Sequence, residues 1–332
     1  MGTRRSRLAA AGVGLLIALL LAEGLVRLAG VAPPAPAQVD PELQFHALDA
    51  DPAIGYTLRP GARGTFQNAA VRVNERGCRD DAVRAAPPVR IVALGDSITF
   101  GASIDQDATW EARLDRALGP DVDVVNCGVS GYNLLQAQAR YDAALADLGP
   151  DIIVLNVFSD DLSAPYRLAA SGPWTWLRAR SEAARVAELG WIGLVGGGGR
   201  RLPDWAADDV DYRIEATRQG IAWVQARVAE GRKVLVVAHP MLMPVTHRWQ
   251  ATRSEVRSFA ESTGQPALFL EPIYADATAG QLPRLSINPE AGDPHPNADG
   301  QEIIALALWR RLHELGWIDV PPRDTAGPRP SP

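Results

Sequence analysis

Three polar residues near opposite ends of the sequence could together activate a nucleophile. Ser97 follows a short apolar run within Gly-Asp-Ser-Ile, and Asp293 and His295 flank a single proline near the other end of the chain. A serine hydroxyl attacks a carbonyl when a base takes its proton, and the base needs an acceptor that fixes its tautomer and stabilises its cation. Each motif alone is an ordinary turn. Together they predict acyl-transfer chemistry with Ser97 as nucleophile, His295 as base and Asp293 as its orienting partner.

Such chemistry also requires hydrogen-bond donors for the oxygen that becomes negatively charged. Gly128 follows a second apolar run within Asn-Cys-Gly-Val-Ser-Gly, so its N–H could point at this oxygen beside the N–H of Ser97. His239 ends a fourth apolar run and is a candidate for the wall of the substrate pocket.

The sequence lacks the patterns of the main alternative chemistries. No Gly-x-Ser-x-Gly elbow occurs, and Lys233, the single lysine, does not lie three residues after a serine. The five histidines form no close pair, and no Gly-x-Gly-x-x-Gly follows the first apolar run. We therefore expect neither a metal nor a cofactor.

Alternating strand and helix patterns place these residues at one edge of a sheet. Short, nearly continuous apolar runs of the kind that form buried parallel strands occur at residues 89–94, 122–126, 151–157, 233–238 and 267–270. Helical patterns occur at residues 109–118, 134–148, 212–229, 252–262 and 298–315. The alternation predicts an α/β three-layer sandwich with a five-stranded, mainly parallel sheet. Ligands of such sheets bind beyond the carboxyl ends of the strands, where Ser97 and Gly128 fall.

The ordered motifs resemble those of the SGNH/GDSL hydrolases, a family of esterases, lipases and O-acyl-modifying enzymes. The resemblance covers about residues 89–318, and two upstream motifs, at residues 55–61 and 74–79, look like the leader of a bacterial membrane-anchored branch. It implies a flavodoxin-like fold with strand order 2-1-3-4-5 and no cofactor. It also implies the roles already given to Ser97, His295 and Asp293, and an oxyanion donor at Gly128.

One position departs from the family pattern. The family usually has an Asn-Asp pair after the third strand, and its Asn is a further oxyanion donor, whereas this chain has Asp160-Asp161. An ionised carboxylate repels an oxyanion, and losing one such donor typically costs ~10²–10³ in rate. Three explanations stay open: burial protonates Asp160, Asn133 donates in its place, or the enzyme is slow or takes a different substrate.

The first 31 residues differ in charge from the rest. Four arginines and one glutamate give them +3, which leaves −9 for the remainder of a chain whose net charge is −6. Basic residues before a long apolar run predict a cytoplasmic tip at residues 1–7, a transmembrane anchor at 8–31 and an extracytoplasmic body on a single-pass membrane protein. A cleaved signal peptide is the alternative. With a single lysine and an acidic body, no nucleic-acid partner is expected.

The remaining segments complete the predicted organisation. A proline-rich linker is expected at residues 32–40, a small strand-and-loop appendage at 41–88, the hydrolase domain at 89–318 and a disordered tail at 319–332. A long insertion at 163–210 carries Trp174, Trp176, Trp191 and Trp205. Cys78 and Cys127 could form one bridge or remain separate thiols.

Together these features predict an exported serine esterase or deacylase. Its expected substrates are O-acyl esters, acetyl esters above all, on a carbohydrate or cell-envelope molecule, with ester-bearing lipids included among possible partners. An O-acyltransferase with the same three residues is one alternative. A glycan-binding or assembly module with weakened catalysis is another, and Asp160 favours it.

Overall fold

A computed structural model describes residues 2–29, 44–163 except residue 67, 210–243 and 247–319, with isolated positions between 165 and 187. Residues 1–43 and 168–203 form one unit, and residues 44–167 and 204–332 form a second. The predicted linker at 32–40, most of the insertion at 163–210 with its four tryptophans, and most of the tail at 319–332 lie outside the described residues.

The first unit contains helix α1, Gly2–Ala29. On this helix Arg27 Nε donates to Glu23 Oε1 at 2.7 Å, as the spacing of four residues allows. Glu23 Oε2 also accepts from the Ser181 hydroxyl at 2.7 Å and from the Ala183 N–H at 3.0 Å. Within the part of the chain that the structure describes, no helix combines the length and the apolar character that a membrane crossing requires.

Two small hairpins lie where the sequence predicts a strand-and-loop appendage. Strand β1 (His46–Leu48) pairs antiparallel with β2 (Tyr56–Leu58), and β3 (Arg63–Phe66) pairs antiparallel with β4 (Ala69–Arg72). The hydroxyl of Tyr56 donates to the carbonyl of Ser130 at 2.8 Å. The first hairpin is thereby joined to the loop that follows the second strand of the main sheet.

The main sheet is parallel and has five strands. They are β5 (Val89–Leu94), β6 (Val122–Asn126), β7 (Ile152–Val157), β8 (Lys233–Ala238) and β9 (Ala267–Phe269). Their spatial order is β6-β5-β7-β8-β9, which is the 2-1-3-4-5 order that the family resemblance implies. The central β5 pairs with β6 and β7, so Ala93 lies opposite both Asn126 and Val154.

Helices cover both faces of this sheet. They are α2 (Ser97–Phe100), α3 (Trp110–Leu118), α4 (Leu134–Arg140), α5 (Val210–Ala229), α6 (His247–Ser262), α7 (Leu270–Ala277) and α8 (Ala298–Glu314). Ile91 and Ala93 of β5 belong to a core built with α3, α7 and α8, whereas Val92 and Leu94 belong to a core built with α4, α5 and α6. This alternation of side chains along a strand produces the predicted three layers.

Several element boundaries differ from the sequence prediction by one or two residues, the helix expected at 252–262 begins earlier, at His247, and two elements change type along their length. The expected strand at 267–270 ends at Phe269, and Leu270 begins α7. Pro272 lies in the first turn of that helix, where its missing N–H removes no hydrogen bond. The expected helix at 134–148 keeps α-helical bonding only to Arg140, then widens over Tyr141–Leu145 and tightens over Ala146–Leu148.

Candidate active site

Ser97 begins the single turn of α2, directly beyond the carboxyl end of the central strand β5. Asp96 caps this turn, because its Oδ1 accepts from the N–H of Ile98 at 2.9 Å. Gly95 has a φ of 155°, and a Cβ there would lie 2.3 Å from Thr99 Oγ1. Only glycine fits this position, and the resulting tight turn presents Ser97 at the edge of the sheet.

Ser97, His295 and Asp293 form one hydrogen-bonded chain. The Oγ of Ser97 lies 2.8 Å from His295 Nε2, and His295 Nδ1 lies 2.6 Å from Asp293 Oδ1. Since a carboxylate only accepts, Nδ1 carries the proton, and the lone pair of Nε2 accepts from the Ser97 hydroxyl. The structure therefore brings the three predicted side chains together in the order in which a nucleophile, a base and its orienting partner would have to stand.

The loop that carries the base is held on both sides. The Ser286 hydroxyl donates to the carbonyl of Asp293 at 2.6 Å, and the N–H of Ile287 donates to the carbonyl of His295 at 3.0 Å. The side chain of Asn297 donates to the carbonyl of Ser286 at 3.3 Å. These bonds fix the backbone around the imidazole, so the ring does not depend on its own packing alone.

The charges of the site raise the pKa of the His295 imidazole and lower the pKa of its carboxylate partner. Burial alone lowers the pKa of His295, but the hydrogen bond to Asp293 and the nearby charges of Asp293, Asp96 and Asp160 outweigh it, and the net pKa is raised. Burial alone raises the pKa of Asp293, but the hydrogen bonds from His295 outweigh it and the net pKa is lowered. Asp293 is thus suited to stabilise the imidazolium that forms when Ser97 gives up its proton.

Three carboxyl groups crowd together beside Ser97. Carboxyl oxygens of Asp96, Asp160 and Asp161 lie within 4.8 Å of one another, close enough to hold a cation or to share a proton. Asp160 stays accessible to solvent, yet protein atoms surround its carboxyl group, and this desolvation, together with the charge of Asp96, raises its pKa to about 7. Burial also raises the pKa of Asp96 and, more strongly, that of Asp161.

Gly128 does not have the free N–H that the sequence predicts for it. Its N–H donates to Asn126 Oδ1 at 3.1 Å, while Asn126 Nδ2 donates to the carbonyl of Thr99 at 2.9 Å. What the structure requires of Gly128 is close approach, because a Cβ there would lie 2.4 Å from the backbone nitrogen of Phe100. In the sequence Asn126 is an isolated amide at the end of an apolar strand, and nothing in that pattern indicates that its side chain links Gly128 to Thr99.

Asn133 is wrong as a replacement donor. Its Oδ1 accepts from the N–H of Gln136 at 2.9 Å and caps α4. Its Nδ2 donates to the carbonyl of Ser163 at 2.8 Å and to the hydroxyl of Tyr212 at 2.7 Å. Both amide hydrogens are therefore used in joining α4 to the loop after β7 and to α5.

His239 lies in the wall of a small cavity that Ser159 also lines, with a volume of about 30 Å³. Its Nδ1 lies 2.9 Å from the carbonyl of Pro240 and must be the protonated nitrogen, so Nε2 accepts from the Tyr274 hydroxyl at 3.1 Å. Burial lowers the pKa of His239 to about 3, which keeps the ring neutral. It is a structural wall residue with both ring nitrogens bonded to protein.

An α/β sandwich with a serine–histidine–aspartate chain at the carboxyl edge of its sheet defines the class of protein to which this chain belongs. The sequence pattern of the GDSL-like lipase/acylhydrolase family matches residues 93–303, and the chain is a member of that family. The matched region includes Ser97, Asp160, Asp293 and His295.

Relatives at lower similarity include a curated enzyme and several solved structures. The chain is 32% identical over 106 residues to Esterase TesA of Pseudomonas aeruginosa, a match that covers 30% of this chain and only 53% of that relative. An acetylxylan esterase from Geobacillus stearothermophilus, solved as a catalytic mutant, is 14% identical with a TM-score of 0.44, over 69% of this chain and 95% of that one. An alpha/beta hydrolase enzyme from the metagenome of Lake Arreo, Spain, is 17% identical with a TM-score of 0.45, over 69% and 97%. At these TM-scores neither structure bears on the substrate of this chain.

Proposed function

We propose that this chain is a serine esterase that hydrolyses O-acyl esters. The observation that carries the proposal is the chain of short contacts, 2.8 Å from Ser97 Oγ to His295 Nε2 and 2.6 Å from His295 Nδ1 to Asp293 Oδ1. His295 takes the hydroxyl proton as Ser97 Oγ attacks the ester carbon, then gives that proton to the departing alcohol. Water, activated by the same imidazole, cleaves the acyl-enzyme and restores Ser97. Family membership supports this reaction class.

The developing oxyanion receives hydrogen bonds from the N–H of Ser97 and from Asp160 in its protonated form. Support comes from the desolvation of the Asp160 carboxyl group and from the neighbouring charge of Asp96, which both favour the protonated form of Asp160. A pKa of about 7 at Asp160 leaves about half of these carboxyl groups protonated at pH 7 and most of them protonated at lower pH. A carboxylic acid then donates where the family's amide does.

The substrate is a short-chain ester, acetyl above all, on a carbohydrate or cell-envelope glycan. A cavity of about 30 Å³ beside Ser159 and His239 has room for one small group, although Ser97 is not among the residues that line it. A separate groove of about 330 Å³ runs between α4 and α5. It starts at Asn133, two residues after residues 126–131, which we call the glycine-rich loop. Amides and two aromatic rings, Tyr212 and Trp223, line it, and sugars use such groups for their hydroxyls and their C–H faces.

The body of the protein acts outside the cytoplasm, held by residues 8–31 as a single-pass anchor. Arginines before the apolar run support this orientation. The bond between Cys78 and Cys127 also supports it, because disulfides persist in oxidising compartments.

Labelling of the nucleophile tests the reaction class. A fluorophosphonate probe is expected to label the wild-type protein and the Ser130→Ala variant, which removes the serine of the loop after β6, but not Ser97→Ala. Aryl acetate hydrolysis should fall by about 10³-fold or more in Ser97→Ala and in His295→Ala. Equal labelling of wild type and Ser97→Ala would exclude the proposed mechanism. Release of free acetate, rather than its appearance on an added oligosaccharide, separates hydrolysis from transfer.

A further inference from the structure

Residues 74–81, which we call the supporting loop, form a preorganised unit before the first strand of the main sheet. The side chain of Asn74 accepts from the N–H of Arg76 at 2.9 Å and from that of Cys78 at 3.0 Å, and it donates to the carbonyl of Asp81 at 3.1 Å. The N–H of Asn74 in turn donates to the carbonyl of Cys78 at 2.8 Å. One buried amide thus fixes the course of the whole loop.

From this loop Arg79 reaches the turn that carries the nucleophile. Its guanidinium donates to the carbonyl of Phe100 at 2.7 Å, to that of Gly101 at 2.6 Å and to that of Ile104. The same group lies 4.6 Å from the centre of the Phe100 ring. The residue is only 2% exposed, and burial lowers the pKa of Arg79 to about 10, which leaves it charged at neutral pH. The planar, charged guanidinium group of Arg79 therefore holds the backbone at the end of α2.

The supporting loop holds the glycine-rich loop as well. A disulfide joins Cys78 to Cys127, and Asp80 Oδ2 accepts from the N–H of Asn126 at 3.0 Å. Arg140 of α4 bridges the two loops, since its guanidinium donates to the carbonyl of Gly77 at 2.5 Å and to that of Cys127 at 3.3 Å.

These two catalytic segments also touch each other, so a displacement of one reaches the other. A Cβ at Gly128 would lie 2.7 Å from the carbonyl carbon of Thr99, and Asn126 already donates to that residue's carbonyl oxygen. Closely packed backbone atoms thus fill the space between the Ser97 turn and the Cys78–Cys127 disulfide. Side chains and backbone packed this tightly transmit small movements.

We propose that the supporting loop is a positioning element for Ser97: Arg79 and the Cys78–Cys127 bond hold the nucleophile turn and the glycine-rich loop in reactive register from behind. Neither is placed to act on substrate directly, because both lie buried behind the turn. The inference rests on the proposed esterase function and assigns to these residues an effect on turnover rather than on substrate binding.

Two variants of the full chain test it against a matched control. Arg79→Lys keeps the charge but loses the fork, and Cys78→Ser with Cys127→Ser removes the bond. Arg90→Lys is the control, because Arg90 also bonds carbonyls, those of Leu148 and Arg84, but from the first half of β5. We expect kcat for an aryl acetate to fall about 10- to 100-fold in both test variants, since misplacement by about 1 Å can cost 10²-fold. KM should stay within about two-fold, and the control should keep both values.

A second measurement uses the unchanged protein. Reduction of the wild type with dithiothreitol should lower kcat and the rate of fluorophosphonate labelling together, reoxidation should restore both, and the double serine variant should not respond. The positioning role would be overturned if the folded test variants kept the wild-type kcat, or if Arg90→Lys lost as much kcat as they do. It would also be overturned if reduction of the wild type left its kcat unchanged. A wild type inert towards ester and probe would instead overturn the esterase function itself.

Discussion

At position 160 a carboxyl group stands where the family usually has an amide, so an oxyanion donor at this position would be titratable. The charged groups that face it are Asp96 after β5, the adjacent Asp161, His295 on the loop before α8 and Arg213 on α5. The charge of Asp96 raises the pKa of Asp160, and His295 and Arg213 lower it, with desolvation the largest influence and a net value of about 7. As pH rises through this value the donor becomes an anion that opposes the oxyanion.

We therefore expect Asp160→Asn to change the pH profile of kcat/KM. An amide donates at every pH, so the alkaline fall of the wild type near pH 7 should vanish, and the rate at about pH 9 should rise by about ten-fold or more. Because the charge of Asp160 raises the pKa of His295, the acid limb should move to lower pH. Asp121→Asn, at an exposed position before β6, is the control.

Identical profiles for wild type and Asp160→Asn would exclude a protonated donor at this position. Chelator in the same assays tests the other reading of the three carboxyls. A wild-type profile that changes with EDTA would mean that a cation, and not a proton, relieves their repulsion.

Residue identity predicted the reacting groups better than the supporting ones. Ser97, Asp293 and His295 could be predicted together because acyl transfer needs those chemical types, and the structure joins them in one hydrogen-bonded chain. The predicted donors at Gly128 and Asn133 each have a local hydrogen bond instead, to Asn126 and to the first turn of α4. Such local competition depends on backbone geometry that spacing alone does not contain.

At the scale of elements, α4 and α5 form the wall of the groove proposed for the glycan. The N–H of Leu134 donates to the carbonyl of Asp161 at 2.8 Å, so the start of α4 adjoins the carboxyl cluster. Further along the groove the indole of Trp223 is half-buried and donates to Asp142 at 3.0 Å. A chain of sugars with its ester at Ser97 would lie along this wall.

We expect Trp223→Ala to weaken binding of an acetylated oligosaccharide selectively. Loss of one aromatic contact should raise KM for that substrate about 3- to 10-fold, while KM for a small aryl acetate stays unchanged because it does not reach the groove. Steady-state kinetics on the two substrates measures the difference. Trp309→Ala, on α8 in the opposite layer, controls for general loss of packing. Parallel changes on both substrates would argue against a glycan groove.

Strand order and layers were predictable because buried parallel strands are short apolar runs, and β5, β6 and β8 begin and end at the predicted residues. The boundary between β9 and α7 was not, because Leu270 continues the apolar run while its backbone is already helical. Hydrophobicity does not distinguish a strand end from a buried helix start within a few residues.

At the scale of the whole molecule, the uneven charge of the sequence and the single disulfide both favour the proposed location of the hydrolase domain outside the cytoplasm. Residues 1–31 carry +3 and the rest −9 within a net −6. Cys78 and Cys127 are joined across 49 residues, so the bond ties the strand-and-loop appendage to the hydrolase domain. The sequence left this pairing open, since two cysteines do not reveal whether their backbones approach.

We expect the full chain to stay with membranes after an alkaline carbonate wash and to activate alkaline phosphatase fused after residue 332. Positive residues before an apolar segment remain in the cytoplasm, so replacing Arg4, Arg5 and Arg7 by glutamate should abolish the fusion's activity. Replacing Arg323 and Arg329 in the tail should not.

The thiols of Cys78 and Cys127 should resist alkylation until reduced. An active fusion on a protein released by carbonate would indicate a cleaved leader instead of an anchor, and an inactive fusion would place the hydrolase domain inside the cell.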